Sequence, residues 1–288
     1  MSRARLGQHF LHDREVLCAV AGALQIAPGD TIIEIGAGHG ELTAEVLGYR
    51  LKVKGETVRI IAIEKDAKLA EELRGRFREK ESFEIIEGDI RKLLPTITSN
   101  LKPKTYKLCG NIPYYLTGFL LRLVSELIPL PVRSVFMMQK EVAERICAQP
   151  PQMSQLAASV QFWAKPKIVG VVPRSAFAPP PKVDSAIISL EARGDVLDAR
   201  SSTASYYAAV HALFRQPRKT LLNNIADATG LPKNEVAAVL EKAGVDSATR
   251  PHNLSLAQIS ALAACFTFPN AKNLSEGRKS AAQGEILA

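Results

Sequence analysis

The run Thr31-Ile32-Ile33-Glu34-Ile35-Gly36-Ala37-Gly38-His39-Gly40, followed by a helix-like stretch from Glu41 to Leu47, does most to constrain the fold. Its first five residues read as a short β-branched strand. The alternating glycines read as a turn that lets backbone approach a ligand, with a helix N-terminus facing the same point. A strand, a glycine turn and a helix in that order begin a parallel α/β sheet. A tight turn with no ligand is the bland alternative.

The glycine spacing sorts the ligands. A dinucleotide fingerprint is G-x-G-x-x-G, which after Gly36 and Gly38 would need a glycine where Glu41 stands. The pattern is instead E-x-G-x-G-x-G, with Glu34 inside the strand, and it fits an S-adenosylmethionine site better than an NAD site.

Further βα repeats follow. Val58 to Ile63 is a second strand ending at Glu64, and Phe83 to Ile86 a third, followed by Asp89. A basic, polar run from Lys102 to Lys107 leads into a fourth, Leu108 to Asn111, and then Ile112-Pro113-Tyr114-Tyr115. In a parallel sheet these strand ends share one rim, where α/β proteins place ligands. Glu64 can accept both hydroxyls of a ribose, or is an ordinary surface charge. Asp89 can accept from an adenine amino group. Asn111, beside a kink and an aromatic ring, can hold a flat amino-bearing ring, or the loop is only a turn before the helix at 117–128.

Either side of this core the texture changes. Arg3 and Arg5 begin a basic arm running into Gly7-Gln8-His9-Phe10-Leu11, before a helix capped by Asp13. From Lys167 on, Ile168 to Val172 and Ser185 to Leu190 read as an antiparallel pair. Their connection, from Pro173 to Lys182, is stiffened by prolines and carries Phe177. Phe177 is either an exposed ring that stacks on a nucleobase or a ring buried under the loop. Residues 1–195 form the first domain on this reading. Residues 203–268 form a small helical domain in which Arg215, Arg218 and Lys219 cluster, and 269–288 is a disordered tail.

The chain has 288 residues and a formal net charge of +8, which favours a polyanionic partner. Its four cysteines, Cys18, Cys109, Cys147 and Cys265, stand at no metal-binding spacing, which argues against structural zinc or a disulfide framework. No apolar run reaches the ~20 residues of a membrane span. The first ten residues lack a signal-peptide core, and the Gly7 motif leaves no room for a transit peptide. These features point to a cytoplasmic protein.

Taken in order, Gly7-Gln8-His9-Phe10-Leu11, Glu34-Ile35-Gly36-Ala37-Gly38, Asn111-Ile112-Pro113-Tyr114 and Phe177-Ala178-Pro179-Pro180-Pro181-Lys182-Val183-Asp184-Ser185 resemble the KsgA family, the ribosomal RNA small-subunit adenine dimethyltransferases. Phe214 to Thr220 and Arg250 to Ser255 fit it too, so the resemblance spans about 6–268. It implies a class I S-adenosylmethionine-dependent methyltransferase fold: a Rossmann-like, mostly parallel seven-stranded sheet with an antiparallel hairpin, and a small all-α C-terminal domain. It implies S-adenosylmethionine as methyl donor and no metal. The implied substrate is two adjacent adenosines near the 3′ end of small-subunit (16S) rRNA, each gaining two methyls on its exocyclic nitrogen. The implied partner is a precursor of the small ribosomal subunit, met by a monomer.

Carried over residue by residue, the resemblance puts His9 and Leu11 on the cofactor pocket and Gly36 near the methionine portion, with Gly38 in the same turn. Glu64 holds the ribose, Asp89 meets the cofactor adenine, and Asn111 sits beside the transferred methyl. The Asn111 amide oxygen and the Ile112 carbonyl would accept from the target amino group, Pro113 shapes the loop, and Tyr114 and Phe177 stack on the ring. Arg3, Arg5, Lys182, Arg215, Arg218 and Lys219 are the candidates for RNA. His9 stands where many members have Asn, and the 48–57 connection is unusually long. Two other readings share these motifs: an Erm-type enzyme acting on large-subunit rRNA, and a non-catalytic assembly or transcription factor. The C-terminal motifs disfavour the first, and the intact glycines, Glu64, Asp89 and Asn111 disfavour the second.

Overall fold

The computed structural model describes residues 9–50, 57–102, 105–194 and 203–269. The chain divides into two compact units. One takes the residues up to Glu144 together with Trp163–Arg193; the other takes Arg145–Phe162 together with the described residues from Gly194 onward.

The first unit opens with a two-residue strand β1 (Phe10–Leu11) and helix α1 (Arg14–Ala23). Strand and helix then alternate: β2 (Thr31–Ile35), α2 (Glu41–Arg50), β3 (Arg59–Glu64), α3 (Ala67–Phe77), β4 (Phe83–Glu87), α4 (Ile90–Ser99), β5 (Tyr106–Asn111), α5 (Thr117–Glu126), β6 (Arg133–Gln139) and α6 (Lys140–Cys147). After α7 (Gln155–Trp163) come β7 (Ala164–Val172), β8 (Phe177–Ala178) and β9 (Ser185–Ala192). Seven strands form one sheet in the order β4-β3-β2-β5-β6-β9-β7. The first five run parallel, β9 enters antiparallel beside β6, and β7 pairs antiparallel with β9. The mostly parallel seven-stranded sheet with an antiparallel hairpin is thus present.

The strands read as apolar runs because both faces are covered. Every residue of β2 is buried, so neighbours pointing to opposite faces are both out of water. On one face Leu17 and Val20 of α1, Val46 of α2, and Leu73 and Phe77 of α3 share a core with Ile32, Ile60, Ala62 and Val135. Each fully buried side chain of this size contributes about 1.5–3 kcal/mol. Asp13, Asp66 and Asp89 cap α1, α3 and α4, each accepting from backbone N–H groups of the first turn, worth ~1 kcal/mol apiece. Parallel register then brings the C-terminal ends of β2, β3, β4 and β5 to one rim.

The opposite end of the sheet is pinned by a buried ion pair. Lys107 Nζ lies 2.6 Å from Asp30 Oδ2, with both side chains under a tenth exposed, and also donates to the Gln25 carbonyl. The basic run 102–107 therefore does not stay polar to its end: β5 begins at Tyr106, and Lys107 is buried through its partners.

In the second unit α7 packs with α8 (Thr203–Leu213), α9 (Leu221–Thr229), α10 (Lys233–Lys242) and α11 (Leu256–Cys265). Ala157 and Ala158 of α7 join Leu213, Ile225, Leu240 and Leu262 in its core. The Phe162 ring stacks on Tyr206 with centroids 3.9 Å apart, and the Tyr206 hydroxyl donates to the Ala158 carbonyl. The sequence division at 195 assigned 145–162 to the first domain; the small residues of α7 and the Phe162–Tyr206 stack instead place it with the helices. Ser255 and Gln258 form the expected capping box on α11. The segment 195–202 and the tail beyond Pro269 lie outside the described residues. Among the described residues no helix is long and apolar enough to cross a membrane.

Candidate active site

The rim of the parallel strands opens into a cavity of about 410 Å³, a size usual for small-molecule sites. At one end the chain leaving β2 turns through Gly36 and Gly38 with φ of +69° and +60°. Side chains strain that left-handed backbone, and at Gly36 an added Cβ would meet nothing within 4 Å. The turn is tied to β3, since Gly36 N–H donates to the Ile63 carbonyl at 2.8 Å and Gly38 N–H to Glu64 Oε2 at 2.9 Å. Glu64 also accepts from the N–H groups of Lys65 and Asp66 through Oε1. Its carboxylate is thereby fixed at the wall, with acceptor capacity left mainly on Oε2.

Asp89 is more crowded than its place after β4 suggests. Its Oδ1 accepts from Arg91 N–H at 3.0 Å and from Arg91 Nε at 2.9 Å, its Oδ2 from a second guanidinium nitrogen of Arg91, and Lys65 Nζ stands 3.3 Å away. The Arg91 guanidinium beside it holds its carboxyl well below the usual carboxylate range.

At the other end Asn111 closes β5. Its Nδ2 donates to the His9 carbonyl at 2.7 Å, which leaves its amide oxygen as the acceptor. The preceding residue has to be glycine, because a Cβ on Gly110 would lie 2.5 Å from the Ile35 carbonyl oxygen. Close approach of β5 to the end of β2 therefore brings the amide beside the glycine turn. Ile112 is buried, with its N–H on the Met137 carbonyl. Pro113 starts a single 3₁₀ turn, Tyr114–Leu116. The Tyr114 hydroxyl lies 2.9 Å from Ser185 Oγ, and its ring centroid is 6.0 Å from that of His9.

Of the two readings of Phe177, the structure bears out burial: the ring is 3% exposed. Strand β8 pairs antiparallel with β1, setting Leu11 opposite Phe177, and His12 N–H donates to the Ala176 carbonyl. His9 Nδ1 also lies 2.7 Å from the Pro179 carbonyl oxygen. These contacts pull the proline-rich loop down onto the N-terminal segment. Phe177 still lines the cavity, as part of its wall.

Every candidate from His9 to Phe177 lines this one cavity: His9, Leu11, Gly36, Gly38, Glu64 and Asp89 as well as Asn111, Ile112, Pro113, Tyr114 and Phe177. Lys182 does not. It is exposed and borders a separate polar cleft with Arg174 and Asp184. Arg215, Arg218 and Lys219 are exposed on the helical unit, where Lys219 Nζ pairs with Asp227 at 3.0 Å. Arg3 and Arg5 lie outside the described residues.

Several lining residues were given no site role from the sequence, Glu34, Arg91 and Tyr115 among them. Glu34 is 2% exposed, and burial pushes its carboxyl up to about 8, with Glu41 and Glu64 adding repulsion and a 2.6 Å hydrogen bond from Thr43 opposing it. Its signal was an acid inside an otherwise apolar strand. Arg91 and Tyr115 carried only the weak signal of lying next to a candidate. Chemically, the glycine end offers carboxyl groups and bare backbone, which suits a cationic ligand bearing hydroxyls and repels phosphates. The Asn111 end offers an amide oxygen, a carbonyl and aromatic rings, which suits a neutral flat ring with an amino group.

A family model described as ribosomal RNA adenine dimethylase matches residues 1–267. The ribosomal RNA small subunit methyltransferase A of Dehalococcoides mccartyi (strain ATCC BAA-2266 / KCTC 15142 / 195) is 39% identical, over 92% of this chain and 89% of that one. The protein of the same description from Pelotomaculum thermopropionicum is 36% identical, over 92% and 91%. Among solved structures, a dimethyladenosine transferase from Plasmodium falciparum superposes with a TM-score of 0.72 at 27% identity, covering 88% of this chain and 96% of that one. The 23S rRNA methyltransferase ErmE superposes at 0.70 with 24% identity, over 89% and 98%, a likeness of fold alone. The sheet order and these neighbours together give the class I methyltransferase fold. Because the matched span takes in the whole cavity and both units, the chain belongs to the ribosomal RNA adenine dimethylase family.

Proposed function

We propose that this chain transfers methyl groups from S-adenosylmethionine to the exocyclic N6 of two adjacent adenosines near the 3′ end of small-subunit (16S) rRNA. The products are N6,N6-dimethyladenosines, made in the cytoplasm on a precursor of the small ribosomal subunit. The observation that carries the reading is the Asn111 amide. Its nitrogen is held by the His9 carbonyl, so its oxygen is left to accept, beside a cavity whose other end is acidic.

The residues fit the donor. Open space over Gly36 admits a ligand against bare backbone, and carboxyl groups along the wall suit a sulfonium and an ammonium group. Glu64 would hold the ribose hydroxyls through Oε2, and Asp89 the adenine amino group. When bound, S-adenosylmethionine supplies a methyl already activated for transfer.

What remains for the protein is to present the nucleophile. An adenine amino group is weak because its lone pair is delocalised into the ring. Hydrogen bonds from that group to the Asn111 amide oxygen and the Ile112 carbonyl favour a pyramidal nitrogen and aim its lone pair toward the glycine end. Tyr114 and the edge of Phe177 hold the flipped-out ring, each contact worth ~1–3 kcal/mol. The new N–C bond would form as the donor's S–CH3 bond breaks with its electron pair left on sulfur, and the nitrogen would lose one proton to water for each methyl gained, so no strong base is required. Positioning does most of the work. Action as a monomer is part of the proposal. Arg215, Arg218 and Lys219, with Lys182, are proposed to meet phosphates.

The relatives' description favours the small subunit over the large. Incubation with labelled S-adenosylmethionine and unmethylated small and large subunits, followed by mapping of the label, tests this. Label confined to two adjacent adenosines of small-subunit rRNA is expected. Label in large-subunit rRNA, or in neither, would overturn it.

A further inference from the structure

The site as described gives the Tyr115 ring no role. Tyr115 stands at the cavity mouth, one residue beyond Tyr114, and at 70% exposure is the most exposed large apolar side chain among the described residues. Its 3₁₀ turn runs directly into α5, so Tyr115, Phe119 and Arg122 recur at i, i+4 and i+7 along one face. Phe119 is 42% exposed and Arg122 is exposed. This stripe is not part of the core, because α5 buries a different set: Thr117, Leu120, Leu121 and Val124. Gly118 lies between the three, where an added Cβ would meet nothing within 4 Å, so the ground between them is low and open. Arg91 lines the same cavity as Tyr115.

We propose that Tyr115, backed by Phe119, is a stacking platform for the nucleobase adjoining the adenosine held at Asn111, with Arg122 facing the phosphate on that side. The inference deepens the function proposed above and rests on it. Taking one base out of a stack leaves its neighbour with an uncovered face. A ring at the mouth covers that face whatever the base, since stacking is tolerant of sequence. With two adjacent adenosines as targets, the neighbour is the other target. The platform holds one adenine at the entrance while its partner is methylated. Continuity with the cavity favours a nucleic-acid strand here over a protein segment, and Arg122, paired with Glu126 at 3.0 Å, would exchange that partner for phosphate.

The test uses the full chain with Tyr115→Ala, Phe119→Ala and Tyr115→Trp. Transfer is measured on immature small subunits, affinity on a naked transcript of the same rRNA region, and cofactor affinity by calorimetry. Tyr115→Ala should raise the KM for subunits and the Kd for the transcript by about ten-fold, with cofactor affinity unchanged. Phe119→Ala should have a smaller effect in the same direction, and Tyr115→Trp should restore both values. Wild-type values for Tyr115→Ala on both substrates would overturn the platform. A defect on subunits alone would overturn it in favour of a ribosomal-protein contact, and a defect that Trp does not repair would make Tyr115 merely structural. Absence of transfer by the wild type would instead overturn the underlying function.

Discussion

At one end of the cavity the walls are carboxyl groups and bare glycine backbone; at the other they are an amide, a proline and aromatic rings. Both ends are built from the same βα repeat, with a strand stopping at the rim and a short loop following it. They differ in how their polar groups are already engaged. Glu64 and Asp89 are held by backbone N–H groups and by cations before any ligand arrives. Asn111 has its nitrogen fixed and its oxygen left over. One repeated scaffold can therefore hold a charged donor by many contacts and present a neutral acceptor through a few directed ones. On the proposed function, affinity would reside at the first end and rate at the second.

Substitutions that strike one end should break this comparison unequally. The largest effect is expected at Asn111→Ala, which removes the aimed oxygen. Its kcat should fall by at least about a hundred-fold, while calorimetric cofactor affinity stays within a few-fold of wild type. A variant that turns over normally would remove Asn111 from the chemistry. At the acidic end, Glu64→Ala should weaken cofactor binding by roughly ten- to a hundred-fold, the loss of charge-assisted hydrogen bonds. Unchanged affinity would take Glu64 out of the site.

Glu34 sharpens the comparison through pH. Its folded-state carboxyl is raised to about 8 from 4.5, with burial as the leading cause. The stability it contributes is full below about pH 4.5 and is lost as pH rises toward 8, at about 1.4 kcal/mol per pH unit. Glu34→Gln has no charge to desolvate, so chemical denaturation should find it gaining on wild type by that slope between pH 5 and 8. Parallel curves would mean that Glu34 does not titrate there. The smallest effect belongs to Arg91→Gln. Arg91 occupies acceptor sites on Asp89 that an adenine amino group would need on the proposed function, yet it is exposed. Cofactor affinity should tighten by no more than a few-fold, and weakening would show that Arg91 orients Asp89 instead.

Much of this layout is legible in the residues, and the illegible parts share a cause. The glycine turn and the acids after β3 and β4 are local patterns, each read from a few neighbours, and parallel pairing then gathers them. Strand β1 is two residues long and has no period to detect. Its partner is some 170 residues away, so neither that pairing nor the burial of Phe177 it enforces is written locally. Lys107 looks like solvent-facing charge until Asp30, distant in sequence, is found against it. The helix α4 contains Pro95 and gives a broken pattern, yet Asp89 caps it. For α7, composition says that a helix forms but not which core receives Ala157 and Ala158.

The division between holding the donor and aiming the acceptor is tested most directly by titrating S-adenosylmethionine against initial rates of transfer for Glu64→Ala and Asn111→Ala on immature small subunits. Glu64→Ala should climb to a near wild-type plateau at high cofactor concentration, and Asn111→Ala should saturate at the wild-type concentration on a plateau at least about a hundred-fold lower. A Glu64→Ala plateau as low as that of Asn111→Ala, or an Asn111→Ala plateau rescued by cofactor, would contradict it.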